Sequence, residues 1–186
     1  MIKVQKFVLI GFTMAITSII LLTIGTPAFA VEYEKCGITI QYPDGWTVQE
    51  SNFVSKENNY RTLVDFYPEA DMIGSVSINI DNTKLAKKSM GEISEFLRDY
   101  ATSWPDSTVI ESKITEINGF PTHKIAYTGG LWGGGGLSYL IIAYDRGYEL
   151  TFEANDKEEF DKYTSSVDEM AESIKIAQPT FEGINC

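Results

Sequence analysis

Residues Gly37–Trp46 alternate apolar and polar side chains, turn at Pro43-Asp44-Gly45 and resume on Trp46, so they predict a hairpin. Phe53–Lys56 and Tyr60–Tyr67 read as further strands separated by the turn-forming Glu57-Asn58-Asn59. Val76, Ile78 and Ile80 then alternate with Ser75, Ser77, Asn79 and Asp81, the pattern of a strand with one face buried and one face polar. From Ser89 the period lengthens. Met90, Ile93, Phe96, Leu97, Tyr100 and Trp104 fall three or four apart, which predicts a helix opened by a Ser89/Glu92 capping box and ended by Pro105.

Thr108–Ile117 and Phe120–Thr128 predict two strands joined at Asn118-Gly119, with Pro121 suggesting that the second begins at a sheet edge. Leu137–Tyr144 is almost wholly apolar and predicts a central strand. Asp145-Arg146-Gly147 is expected to turn it into a strand that buries Tyr148, Leu150 and Phe152 and exposes Glu149, Thr151 and Glu153. The last element, Lys157–Ile174, carries Asp156 and Glu159 as an acidic cap pair and Phe160, Tyr163, Val167, Met170 or Ala171, and Ile174 as its apolar stripe.

Strands, one helix, more strands and a final helix, joined by hairpin-length links, predict an α+β fold with an antiparallel sheet. Two amphipathic helices against a sheet with an apolar central strand imply a three-layer α-β-α sandwich.

The N-terminal segment predicts that the rest of the chain lies outside the cytoplasm. Lys3 and Lys6 precede an apolar run from Phe7 to Ile24, and Thr26-Pro27-Ala28-Phe29-Ala30 ends in a small-x-small pattern. This is the layout of a signal peptide cleaved after Ala30. An uncleaved membrane anchor is the alternative, because the run is 18 residues long. Residues 31–186 then form one domain. Loss of the two lysines leaves 26 acids against 13 bases, which argues against a nucleic-acid partner. Cys36 and Cys186 lie near the two ends of this domain in an oxidising compartment, and an end-to-end disulfide is the expectation. An intermolecular bond through Cys186, or two free thiols, is the alternative.

Candidate chemistry is sparse. Gly129–Gly136, with six glycines in eight residues, is like a phosphate loop in appearance only: it has no lysine and leads into a strand, so it reads as a flexible hairpin connection. Trp132 on that loop is a candidate partner contact. His123, the single histidine, has no Gly-x-Ser-x-Gly elbow to supply a nucleophile and reads as a surface or sheet residue. Carboxylates group at Asp65, Glu69 and Asp71, and at Glu153, Asp156, Glu158, Glu159 and Asp161. Neither group has the spacing of a calcium loop, and the second suits a helix N-terminus.

The element order, Gly37–Trp46, Asn118-Gly119-Phe120-Pro121 with Lys124–Tyr127, Tyr148–Phe152, and Met170–Ile174 together resemble the Mog1/PsbP-like superfamily, in particular PsbP-related proteins from outside plants. The resemblance spans nearly all of residues 31–186 and implies an α-β-α sandwich. It implies no single function, because members include an extrinsic photosystem subunit that supports calcium and chloride retention and a binder of a small GTPase. Only Val31–Lys35 precede Cys36 here, short of the extended N-terminal segment on which the photosystem role relies in part. No metal-binding or partner-binding residue carries over. The expectation is a secreted or envelope-associated, non-enzymatic binding module with no cofactor, acting on a protein or envelope partner. A small-ligand or calcium-binding protein and a secreted enzyme are the alternatives.

Overall fold

The computed structural model describes residues 29–51, 53–55, 60–68, 75–81, 84–130 and 132–179. The predicted leader up to residue 28, together with Glu69, Asp71 and Cys186, lies outside them, and so does the far end of the expected Cys36–Cys186 bond.

Three short strands, β1 (Phe29–Lys35), β2 (Ile38–Pro43) and β11 (Lys175–Ile176), form a small sheet in the order β1-β2-β11. The larger sheet contains β3 (Thr47–Glu50), β5 (Tyr60–Tyr67), β6 (Val76–Asp81), β7 (Thr108–Ile117), β8 (Phe120–Thr128), β9 (Gly135–Ala143) and β10 (Arg146–Ala154). Its order is β3-β5-β6-β10-β9-β8-β7, with β4 (Val54–Ser55) beside β5. All described pairings are antiparallel. Two helices, α1 (Met90–Thr102) and α2 (Lys157–Ser173), complete the α+β fold.

The Gly37–Trp46 segment is not a hairpin. Trp46 N–H donates to the Pro43 carbonyl, so the turn forms. However, β2 pairs with β1 and β11, while β3 pairs with β5. The turn therefore carries the chain from one sheet to the other. The hairpin lies one step earlier, where Cys36 and Gly37 adopt φ 56° and 76° between the paired Lys35 and Ile38. Two left-handed residues are what a two-residue turn needs to match strand twist. Asn118-Gly119 does the same at 49° and 85°. The β9–β10 turn is Tyr144-Asp145, at 50° and 60°, rather than Asp145-Arg146-Gly147. Arg146 and Gly147 already pair in β10.

Pro121 marks no sheet edge, since β8 lies between β7 and β9. The β9 ladder begins only at Thr122, so the missing N–H of Pro121 interrupts nothing on that side.

One face of the larger sheet meets α2 and the small sheet. Val64, Phe66, Val76, Ile78, Leu137, Tyr139, Ile141, Leu150 and Phe152 pack there with Ile38, Ile40, Val167 and Met170. Phe66 anchors the two sheets through edge-on contact with Tyr33 at 5.7 Å and tilted contact with Tyr42 at 5.0 Å. Lys35 pairs with Glu50 at 2.9 Å between the sheets, and burial with this carboxylate pushes the Tyr33 phenol up to about 12. The other face carries a smaller core, in which Ile93, Leu97 and Ala101 of α1 sit on Ile125, Tyr127 and Leu140. α1 packs on β7 and β8, so the helices do not cover this face entirely.

Both helix starts follow their sequence signals. Ser89 and Glu92 form the reciprocal capping box, and the Asp156 carboxylate accepts from Glu159 N–H at 2.8 Å. The face of α1 differs from its pattern: Phe96 and Tyr100 are 48% and 52% exposed, while Ala101 takes the buried position.

The glycine loop is set by crowding rather than by flexibility. A Cβ on Gly134 would lie 2.4 Å from the Ala154 carbonyl oxygen and 2.5 Å from the Asp156 nitrogen. One on Gly136 would lie 2.4 Å from the Tyr127 ring, whereas Gly133 faces open space. Gly134→Ala is expected to cost about 3 kcal/mol or more, because backbone must move. Gly133→Ala, with its left-handed φ of 90°, should cost only about 1–2 kcal/mol. Urea unfolding of the two variants checks this ordering.

Candidate functional site

The polar residues of the larger sheet divide between its two faces. On the α2 face, Lys124 pairs with Glu111 at 3.0 Å and Asp168 at 3.1 Å, and the Tyr139 hydroxyl donates to Asp168 at 2.5 Å. Burial works against the Lys124 ammonium, but Glu111 and Asp168 outweigh it and hold its pKa above the ordinary value. Burial and the Asp168 carboxylate push the Tyr139 phenol far up. This network is closed around a cation.

His123, the neighbour of Lys124, points the other way. It is 0% exposed, beneath α1, with the Ser94 and Ser112 hydroxyls at 3.0 and 3.1 Å from Nε2. Nδ1 has no partner among the described residues. Burial, then the charge of Arg98, lowers its pKa. Of the two expected places, surface or sheet, His123 takes the sheet: it lies buried on β8 and links α1 to β7 through Ser94 and Ser112.

The remaining polar residues gather on the α1 face, beyond the helix. In register across three strands, Asp65 pairs with Ser77 and Ser77 with Thr151. Asn79 pairs with Glu149, and Glu153 stands two residues beyond Thr151 on β10. Residues directly paired in a sheet share a face, so Asp65, Ser77, Asn79, Glu149, Thr151 and Glu153 form one polar floor. Its hydroxyl donors are directed at its carboxylates. Ser77 donates to Asp65, Ser138 donates to Glu149 at 2.8 Å, and Tyr127 donates to Glu153 at 2.5 Å. Tyr127 spans the gap because Gly136 lies between it and Glu153 in the register and offers no Cβ to obstruct the ring.

α1 supplies a wall. The Tyr100 phenol on α1 is raised first by burial and then by the charges of Glu153 and Glu149 on β10. Phe96 lies one helical turn earlier on the same flank, and Trp104 meets Tyr100 edge-on at 5.8 Å. Burial raises the Glu153 pKa and Glu149 adds to the effect, with the Tyr127 hydrogen bond opposing it. A short 3-10 turn, Lys84–Lys87, packs against β10.

The two sequence carboxylate groups are thus redistributed. Asp65 from the first and Glu153 from the second share the floor, while Asp156 caps α2 and Glu158 and Glu159 occupy its first turn. Among the described residues, no three His, Cys, Asp or Glu side chains are grouped to hold a metal ion. Trp132 is 55% exposed on the loop between β8 and β9. Sequence reading missed the floor as a unit, although the polar alternation of Ser75–Asp81 and of Glu149–Glu153 was its signal.

No family model and no curated protein matches the chain. Solved structures do. The solution structure of cyanobacterial PsbP (CyanoP) from Synechocystis sp. PCC 6803 has TM-score 0.56 at 14% identity, covering 79% of this chain and 92% of that one. A Pseudomonas aeruginosa protein of unknown function, described as a putative regulator, has TM-score 0.49 at 12% identity, covering 81% of this chain and 98% of that one. The likeness to cyanobacterial PsbP identifies the fold as Mog1/PsbP-like.

His123 makes a pH prediction. With its folded pKa below the ordinary 6.5, the unfolded chain takes up a proton first as pH falls. Stability from this group is complete above about 6.5 and declines below it, by at most about 1.4 kcal/mol per pH unit. Glu153, raised above its ordinary 4.5, contributes the opposite slope. The difference between wild type and His123→Leu in urea unfolding from pH 7 to pH 5 isolates the histidine, and the variant should have lost this decline.

Proposed function

We propose that this protein is a secreted or envelope-associated, non-enzymatic binding module that acts through contacts with another protein. The observation that carries this reading is the floor beside α1. A sheet face with half-buried polar residues is bordered by Phe96 and Tyr100, aromatic side chains left about half exposed by an otherwise amphipathic helix. Exposed aromatics beside desolvated polar groups are the side chains from which protein contacts draw most of their energy. Their rigid mounting on a helix and sheet lowers the entropy lost on binding. The leader-like first thirty residues and the acidic surface support an extracytoplasmic setting.

The alternatives have less support. His123 is sealed under α1, so an enzyme based on it would lack access to substrate. A calcium reading has no grouped ligand set among the described residues.

A photo-crosslinking side chain at Phe96 or Tyr100 should yield a discrete protein adduct in native envelopes. The same side chain at Tyr144, exposed on the distant β9–β10 turn, should not. Phe96→Ala with Tyr100→Ala is expected to weaken capture of that partner by about tenfold or more. Equal adducts from Tyr144, or turnover of a hydrolase substrate abolished by one point substitution, would remove the reading.

A further inference from the structure

We propose that β7 is a dimerisation edge, along which a second copy of this chain lays its own β7 antiparallel, about a two-fold axis at the level of Ser112. The two larger sheets then run on as one. This goes beyond the binding-module reading and does not depend on the surface at Phe96 and Tyr100.

The two ends of the larger sheet differ. One is formed by β3, four residues long, with the two-residue β4 also set beside β5. Pieces this short are poor templates for another strand. The other end is β7, ten residues long, which follows β8 and closes the strand order. Along its outer side runs a row of backbone N–H and C=O groups that an added strand can pair. Ile110 and Ile114 of this strand are 57% and 55% exposed, and β-branched apolar side chains gain from a cross-strand neighbour.

β7 also carries two devices that ordinarily blunt an edge, a register shift between Val109 and Glu111, and Lys113. A lysine deters a second strand only where it meets an apolar or like-charged residue, so the register decides. A two-fold axis that relates adjacent antiparallel strands stands perpendicular to the sheet and keeps each residue and its copy on one face. Directly opposed residues also share a face, and faces alternate along a strand. The axis must therefore lie level with a residue and not between two. At Glu111 it would oppose two glutamates, and at Lys113 two lysines. At Ile114 it would oppose Ser112 to Glu116 and Lys113 to Thr115. At Ser112 it opposes Ile110 to Ile114 and Glu111 to Lys113, and each contact occurs twice.

That register sorts the two kinds of contact onto separate faces. Ser112 and Ile114 pair with Ile125 and His123 beneath α1, and Ile110 precedes them at the same spacing. Glu111 and Lys113 pair with Ala126 and Lys124 on the α2 face. Within one chain Lys113 Nζ already lies 2.7 Å from Glu111, so the charges of the two copies alternate in sign around the axis. A strand of unrelated sequence has no reason to match both patterns. A second copy matches both.

The test applies sedimentation velocity and a disulfide trap to the exported protein. The protein should be chiefly dimeric at about 200 μM and chiefly monomeric at about 1 μM, as suits an interface at the small end of the specific class. Lys113→Glu, which opposes like charges at both contacts, and Ile114→Lys should each weaken the dimer by about tenfold or more. Phe53→Ser, at a residue 61% exposed just ahead of β4, should change it by less than about twofold. For the trap, Ile110→Cys chains and Ile114→Cys chains are oxidised separately and as a mixture. Opposed Cα atoms stand about 4.5–5.5 Å apart, within reach of a disulfide. Residue 110 and its own copy are offset by about 13 Å along the strand. The mixture should give a covalent dimer, and the separate chains only the background of the unsubstituted protein. Both positions are more than half exposed, so the trap remains usable if Lys113→Glu fails to fold.

A monomer at every concentration overturns the inference, and so does equal crosslinking by the separate chains. A dimer indifferent to Lys113→Glu and Ile114→Lys also overturns it, including one held by an intermolecular disulfide, which the unsubstituted protein would show on a non-reducing denaturing gel.

Discussion

The period-two alternation of β10, pinned between β6 and β9, is the constraint on which the structure depends. Tyr148, Leu150, Phe152 and Ala154 enter the main core, while Glu149, Thr151 and Glu153 face the opposite side. A one-residue slip would drive two glutamates under α2 and carry Leu150 and Phe152 to the polar floor. Register on both sides of β10 is therefore enforced by the cost of burying charge as well as by the gain from burying rings. The Tyr144-Asp145 turn sets that register on the β9 side. On the other side, Val76, Ile78 and Ile80 of β6 repeat the alternation and reinforce it.

Local signals show how much of this was legible in sequence. Capping residues at Ser89 and Asp156, the Asn118-Gly119 turn and the apolar run of β9 all act over a few residues, and all appear where their pattern places them. The miscast features depend on distant partners. Pro43-Asp44-Gly45-Trp46 makes a turn whichever strand comes next, and only the β3–β5 pairing shows that the chain has changed sheets. β11 is short, and the pairing that defines it brings Lys175 beside Thr39, a contact with no local signature. Tyr144-Asp145 adopts two left-handed conformations without a glycine, since the ladder between Ala143 and Arg146 leaves only two residues to reverse the chain.

The same distinction separates parts of the candidate site. Ser75, Ser77 and Asn79, like Glu149, Thr151 and Glu153, announce polar faces through alternation alone. That these are one face follows from the β6–β10 pairing, which sequence order does not specify. The acidic clusters along the chain were poorer guides, because adjacent residues on a strand face opposite sides and adjacent residues on a helix diverge. Tyr100 was misread for a related reason. Its spacing fits the apolar stripe of α1, but Ile93, Leu97 and Ala101 make the contacts with Ile125, Tyr127 and Leu140, and the flank bearing Phe96 and Tyr100 is left about half exposed.

The contrast between the two faces of the sheet separates architecture from available binding surface. On the α2 face, Lys124 lies between Glu111 and Asp168, and the Tyr139 hydroxyl completes the set. The Lys124 ammonium is the buried member and depends on both carboxylates, so that cluster is committed to holding β7, β8 and α2 together. On the α1 face, the described partners of Asp65 and Glu153 are hydroxyl groups, which offer a carboxylate a hydrogen bond but no compensating charge. Burial then leaves Glu153 less willing to ionise than a free glutamate. A half-buried carboxylate held by a neutral donor beside an uncovered aromatic ring is poorly justified as structure alone, since a neutral residue there would avoid the desolvation cost. That electrostatic imbalance distinguishes this face from the α2 face, where the carboxylates are matched by a cation.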